Sequence, residues 1–242
     1  MEQSEKFARD FLGATSHERR EMRADESITP APPFMSYEDA ERVALPQLEE
    51  EAGPGLWKAM AGRRSVRTFR DVPISLEQLT RLLWAAQGVT ARSGECLFRT
   101  TPSAGAHYPC ETYVLVNRVE GLKPGSYHLC IPDWTLEFIK PGELSEDLVR
   151  AAMGQKFLGQ ASVVLALTAI CPRVLWRYRE RGIRYIFQDS GHIGQNVALA
   201  AVAMGLGCCA VGAYYDDEVA EVIGIDRERE YPVYLNAVGV PR

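Results

Sequence analysis

The 242 residues are 46% hydrophobic and 24% charged, the balance of a globular chain with one sizeable core and an appendage. A net charge of −5 leaves no basic face for nucleic acid. The six cysteines show no CxxC pair and no metal-ligand spacing, and the charged start Met-Glu-Gln-Ser-Glu-Lys lacks an apolar leader; buried free thiols in a reducing cytoplasm, and no metal, are expected.

Residues 1–50 differ from the rest and are expected to form either an arm, partly extended, that packs across the body or across a partner subunit, or a partly disordered leader. Ser16 to Glu26 is densely charged, and Thr29-Pro30-Ala31-Pro32-Pro33 is held extended by its prolines. The body, residues 51–242, has its first apolar positions near Leu56. Leu76–Gln87 predicts a helix with Leu79, Leu82, Leu83 and Ala86 on one face, Ser75 as N-cap and Gly88 as its stop. Tyr113 to Asn117 predicts a strand. Tyr127 to Leu129 and Leu136 to Ile139, split by Pro132-Asp133, predict a hairpin. Ser162 to Ile170 is almost wholly apolar and predicts a central strand stopped by Pro172. Tyr185 to Met204 predicts the long core helix, Cys208 to Tyr214 a strand or loop, Asp216 to Ile223 a short helix, and Tyr234 to Val240 a closing strand.

The apolar stretch from Val197 to Tyr215 is long enough to raise the question of a membrane span, but Gly205, Gly207 and Gly212 interrupt it. A buried helix turning into a strand is expected instead. Strands and helices mix without regular βαβ alternation, so the fold class is α+β, and no GxGxxG follows a predicted strand.

Three segments carry the chemistry. In Gly62-Arg63-Arg64-Ser65-Val66-Arg67-Thr68-Phe69-Arg70, four arginines crowd into eight residues. Extended backbone would send Arg63, Ser65 and Arg67 to one side, where planar guanidinium donors and a hydroxyl suit a phosphate; a solvated basic loop explains the composition equally well. In Thr101-Pro102-Ser103-Ala104-Gly105-Ala106-His107-Tyr108-Pro109, small residues allow close approach of a planar ligand, while an ordinary turn before the next strand is the plain alternative. Gly205-Leu206-Gly207-Cys208-Cys209-Ala210-Val211-Gly212-Ala213 offers unobstructed backbone N–H groups. A helix C-cap accounts for Gly205 and Gly207 but less well for Gly212-Ala213. Cys208 and Cys209 are expected as buried thiols rather than a redox pair.

In this order, ahead of the closing Val238-Gly239-Val240-Pro241, the segments resemble the nitroreductase family from about Leu56 to Arg242. The closer likeness is to its SagB-type dehydrogenase branch, through Pro102-Ser103-Ala104-Gly105-Ala106-His107-Tyr108-Pro109 leading into Glu111-Thr112-Tyr113, and through Gly191-His192-Ile193-Gly194-Gln195-Asn196. The resemblance implies a mixed sheet flanked by helices in an intertwined homodimer, with FMN held between subunits. It implies Arg63, Arg64, Ser65 and Arg67 at the ribityl phosphate, with Arg242 reaching the same group. Pro102, Ser103, Ala104 and Gly105 would line the isoalloxazine, and Val211, Gly212 and Ala213 would offer backbone donors at its reactive edge. Hydride would move through flavin N5 to or from a small or peptide-derived substrate, with NAD(P)H as a transient reductant in some members.

Azoline oxidases of the branch are similar in a Lys-Tyr pair before the long helix, where this chain has Arg184-Tyr185. Arginine is no general base, so a proton relay there would fall to Tyr185, with His107 as general acid. A general NAD(P)H-dependent nitro or quinone reductase, and a flavin- or partner-binding protein whose catalysis has lapsed, are the alternatives. The substrate loops would be Ala91 to Thr100 and Pro172 to Gly182, the latter with Arg173, Arg177, Arg179 and Arg181 either open to an anionic substrate or forming a solvated face.

Overall fold

The computed structural model describes residues 2–16, 24–48 and 55–242. The centre of the charged Ser16 to Glu26 stretch and the expected domain boundary at residue 50 lie outside them. The chain runs α1 (Glu2–Ala14), β1 (Glu41–Ala44), α2 (Leu56–Gly62), α3 (Leu76–Gln87), β2 (Val89–Ser93), β3 (Cys96–Arg99) and β4 (Cys110–Val116). It continues with β5 (Gly125–Cys130), β6 (Thr135–Pro141), α4 (Ser145–Ala151), α5 (Phe157–Gln160), β7 (Val163–Ala169) and α6 (Pro172–Tyr178). It closes with α7 (Arg181–Ala203), β8 (Gly207–Val211), α8 (Asp216–Ile223) and β9 (Tyr231–Gly239).

The apolar run expected to be central is central. Strand β7 lies in the seven-stranded order β1-β6-β5-β4-β7-β9-β8, and every residue of β4, β5 and β7 is buried. Continuous apolar sequence means both faces of these strands are covered. One face meets α3 and α7 through Leu79, Leu83, Ile193 and Val197; the other meets α4, α5 and α8 through Leu148, Leu158, Val219 and Ile223. The result is a three-layer α+β fold. All pairings between the named strands of this sheet are antiparallel, and the parallel contribution is two isolated bridges, Ser65 to Cys208 at the β8 edge and Ile74 to Val119.

Helix α3 has the expected bounds because Ser75 accepts from Gln78 N–H while Gln78 Oε1 accepts from Ser75 N–H, a full capping box. Several expectations change. The arm joins the sheet before residue 50, since Glu41–Ala44 pairs with Phe138 to Thr135 as the edge strand. Ala91 to Thr100 is no open loop but the hairpin of β2 and β3. Pro172 to Gly182 is mostly the helix α6, with proline at its first turn. Helix α7 begins four residues before Tyr185, and His192 is an exposed residue in its middle.

Candidate functional site

The arginine segment leaves α2 at Arg63 in extended backbone and lies beside β8. Val66 N–H donates to Cys208 O at 3.0 Å, and Ser65 forms the parallel bridge to Cys208. Val66 packs inward and Phe69 is buried, which leaves Arg64, Ser65 and Arg67 exposed and Arg63 half-buried. Arg242 closes the same strap. Its N–H donates to Thr68 O at 3.3 Å and its Nε to Phe69 O at 2.9 Å. Among the described residues none of Arg63, Arg64, Arg67, Arg70 and Arg242 has a carboxylate partner. Arg64 donates only to the backbone carbonyls of Ala61 and Arg63. Among the described residues these five guanidinium groups are therefore not neutralised by a carboxylate.

Each glycine of the β8 segment has its own reason. Gly205 ends α7 at φ +72°, a left-handed position after the C-cap. Gly207 exists for close approach, because a Cβ there would meet Val66 Cβ at 2.8 Å. Gly212 meets neither requirement: nothing lies within 4 Å of its added Cβ. With Ala213 it is exposed, while the Ala213 carbonyl is pinned by Gln155 Nε2 at 2.8 Å. Among the described residues nothing therefore requires the missing side chain of Gly212. The preceding Val211 is buried. The vicinal Cys208 and Cys209 are buried free thiols, and burial pushes Cys208 up to about 12.

The third segment stands elsewhere. Ser103 Oγ donates to Asp189 Oδ2 at 2.6 Å and accepts from Tyr108 N–H at 2.8 Å. This ties the loop to the first half of α7, whereas Gly62, at the start of the strap, packs on Val202 near the end of α7, its added Cβ 3.4 Å from Val202 Cγ1. Thirteen residues of helix separate the two anchors, about 20 Å along its axis at 1.5 Å per residue. The strap, β8 and Arg242 come together; Pro102, Ser103, Ala104 and Gly105 do not join them within one chain.

Beside that loop, His107 stacks edge-on against Trp176 and Tyr178, with ring centroids at 5.4 and 5.8 Å, and Tyr178 meets Tyr185 edge-on at 5.0 Å. A Cβ on Gly105 would strike the Tyr178 hydroxyl at 2.5 Å. Burial and the Arg177 charge lower the His107 pKa, which favours its neutral imidazole. Arg184 is not turned to this cluster. Its Nη2 donates to Leu12 O at 2.5 Å and its Nε to Thr15 Oγ1 at 2.7 Å, while Arg181 donates to Thr15 O at 3.3 Å. The two arginines cap the carbonyl end of α1. Arg173 is equally committed, buried with Nη2 2.6 Å from Glu111 Oε1, so it is not open to an anionic substrate.

Sequence inspection missed the buried polar network under the arm. Register places His128 opposite both Tyr113 and Glu137, and Glu111 opposite Thr168. His128 Nε2 lies 3.1 Å from Glu111 Oε2 and Nδ1 2.9 Å from Glu137 Oε2. Burial alone would lower the His128 pKa, but the two carboxylates outweigh it and hold it up at about 9. The arm seals the network: Ser36 Oγ and Tyr37 N–H donate to Glu137, and Arg173 Nε donates to Pro32 O. A histidine and two glutamates inside strands of apolar neighbours were its only sequence signal.

Among the described residues no helix is long and apolar enough to cross a membrane, and no cluster of His, Cys, Asp and Glu could hold a metal. The sequence profile of the nitroreductase family matches residues 60–240. The chain belongs to the nitroreductase family. It is 39% identical to the nitroreductase-like protein MJ1384 of Methanocaldococcus jannaschii over 83% of this chain and 97% of that one. It is 31% identical to the trifolitoxin-processing protein TfxB of Rhizobium leguminosarum bv. trifolii over 63% of this chain, which spans less than half of that relative (44%). Among solved structures, a nitroreductase-like protein from Anabaena variabilis superposes with a TM-score of 0.76 at 25% identity, covering 94% of this chain and 45% of that one. This nitroreductase-family chain is therefore an oxidoreductase by kinship, and the α+β layering above is the fold of its relatives.

Proposed function

We propose that the chain is an FMN-dependent oxidoreductase of the SagB-type kind, acting as a homodimer on a small or peptide-derived substrate. The observation that carries this is the set of five arginines without a carboxylate partner among the described residues, four on the strap that runs beside β8 and then along the C-terminal residues, and Arg242 bonded to that strap. Such a surface fits a phosphate monoester joined to a flat ring: Arg63, Arg64, Arg67 and Arg242 would hold the phosphate through charge-assisted bonds, and Ser65 would add a hydroxyl. Val211, Gly212 and Ala213 would let the ring lie against backbone. Bound FMN would supply hydride transfer at N5.

The Pro102 loop, about 20 Å away along α7, would meet the ring from the second copy of the chain. His107, whose neutral form burial favours, would accept a substrate proton there, and Tyr178 would link it to Tyr185. The kinship to TfxB, named for processing trifolitoxin, supports a peptide-derived substrate. The engagement of Arg184 with α1 supports a second assignment, a general NAD(P)H-dependent nitro or quinone reductase, because it leaves no counterpart to a Lys-Tyr pair. Oxidation of NAD(P)H by the yellow protein would select the second.

Complementation tests the shared site. A strap variant (Arg63→Ala with Arg67→Ala) and a loop variant (Ala104→Trp) are each expected to lose flavin alone. Co-expressed with different tags and purified as mixed pairs, they should regain one FMN per pair, because one of the two sites is then intact. Mixed pairs without flavin would place both walls in one chain and refute the dimeric arrangement.

A further inference from the structure

The loop Pro102 to Pro109 is held in a costly shape. Gly105, Ala106 and Tyr108 have φ of +61°, +56° and +45°, and the last two are not glycine. Left-handed backbone at such residues costs on the order of 1–2 kcal/mol each and persists only where the surroundings enforce it. Part of the enforcement is aromatic and cationic: Arg99 N–H donates to Tyr108 Oη at 3.1 Å, the Arg99 guanidinium lies 4.3 Å from the Tyr108 ring, and Arg173 donates to Tyr108 O. The rest comes from one buried carboxylate, Asp189, which accepts a hydrogen bond from the Ser103 hydroxyl at 2.6 Å and another from the Ala104 N–H. Asp189 is 5% exposed and lines a small cavity behind the loop with Gln87, Thr101, Tyr108 and Cys110.

The hydroxyl inventory gives this clamp a chemical consequence. A serine has one proton and two lone pairs. The proton of Ser103 is spent on Asp189 and one lone pair on Tyr108 N–H. What remains is an acceptor, so Ser103 meets a ligand's N–H and not its carbonyl.

We propose that Asp189 is a positioning residue for flavin binding: as the carboxylate it fixes the strained Pro102 loop and sets Ser103 as a hydrogen-bond acceptor toward the ring. This rests on the flavin assignment above. Asp189 is held in its role against its own burial, which raises its pKa above the ordinary 3.8; the Ser103 and Ala104 bonds and the charge of His192 oppose the rise. The other titratable groups that share its cavity are Tyr108 and Cys110, the latter on β4, where burial pushes the thiol far above its usual range. Protonation of Asp189 removes an acceptor from the clamp, so flavin affinity falls as the pH drops through the Asp189 pKa.

The test is titration of the flavin-free full chain with FMN, followed by flavin fluorescence, across the acidic range for wild type, Asp189→Asn and Ser103→Ala. Asp189→Asn should weaken FMN about tenfold near pH 7.5, the worth of one hydrogen bond to a charged group. It should also lose the low-pH limb that the wild type shows. The FMN phosphate titrates in both proteins, so the difference between the curves is what reports Asp189. The flavin-free Asp189→Asn chain should melt close to wild type, because the Asn amide oxygen still accepts a bond from the clamp; a fall in melting temperature that matches the fall in affinity would make the role structural and overturn the proposal. If that variant does not fold, Ser103→Ala decides: it should lose a similar factor and flatten the same limb, and a curve parallel to wild type overturns the proposal. Wild type that takes up no FMN refutes the flavin assignment itself. Wild type that binds FMN, with Asp189→Asn indistinguishable from it, refutes the positioning role alone.

Discussion

Glu111, His128 and Glu137 on the strands and Arg173 on α6 place four charges in the interior, and each is at most 4% exposed. Both imidazole nitrogens of His128 face carboxylates, so both must donate and the ring is cationic. Its raised pKa means that this contribution to stability is whole below about 6.5 and is lost as the pH rises through about 9. Glu111 runs the other way: burial would raise its pKa, but Arg173 and His128 hold it at about 2, so its contribution is whole above 4.5 and lost only near pH 2. Replacing His128 by Gln should cost about 3–5 kcal/mol in urea unfolding at pH 6, as for any buried pair broken on one side. It should also remove the decline that the wild type shows between pH 6.5 and 9; an unchanged decline would show that other groups cause it. None of this network was legible from the sequence, because Glu111 and Arg173 lie 62 positions apart and meet only through the register of β4 with β7 and the start of α6 that follows it.

At the scale of elements, what announced itself locally was legible. Helices α3 and α8 were expected with their observed bounds, since Ser75 and Gln78 form a capping box and an acidic first turn with Gly224 at φ +88° frames α8. The hairpin of β2 and β3 was read as a loop because most of its residues are exposed and give no buried alternation. Helix α6 was hidden by its arginines, of which Arg173 is in fact a core residue. In the site, the strap and β8 were legible as small and cationic segments, but their separation from the Pro102 loop was not, since it depends on where along α7 each one docks. The two glycines of the β8 segment make a paired prediction. Gly207→Ala forces Val66 off the strand and should destabilise the chain by about 1–3 kcal/mol, as overpacking does. Gly212→Ala meets open space and should change the melting free energy by less than about 0.5 kcal/mol while weakening flavin. Loss of stability without loss of flavin in Gly212→Ala would mean that its open side faces no ligand.

For the molecule as a whole, the sheet holds two chemistries apart. Its β8 edge carries unpaired positive charge, while the far end near β1 buries its charges in pairs beneath the arm. Paired charge is structural here, and unpaired charge calls for a ligand from outside. The most direct measurement is a comparison of FMN with riboflavin, which lacks only the phosphate, on the flavin-free wild type and on the Arg63→Ala, Arg67→Ala chain. Wild type should bind FMN at least tenfold more tightly than riboflavin, and the double substitution should abolish that preference while leaving riboflavin affinity near its wild-type value. Equal affinity of the wild type for the two flavins, or a preference that survives the loss of both arginines, would contradict the assignment of the strap as the phosphate site.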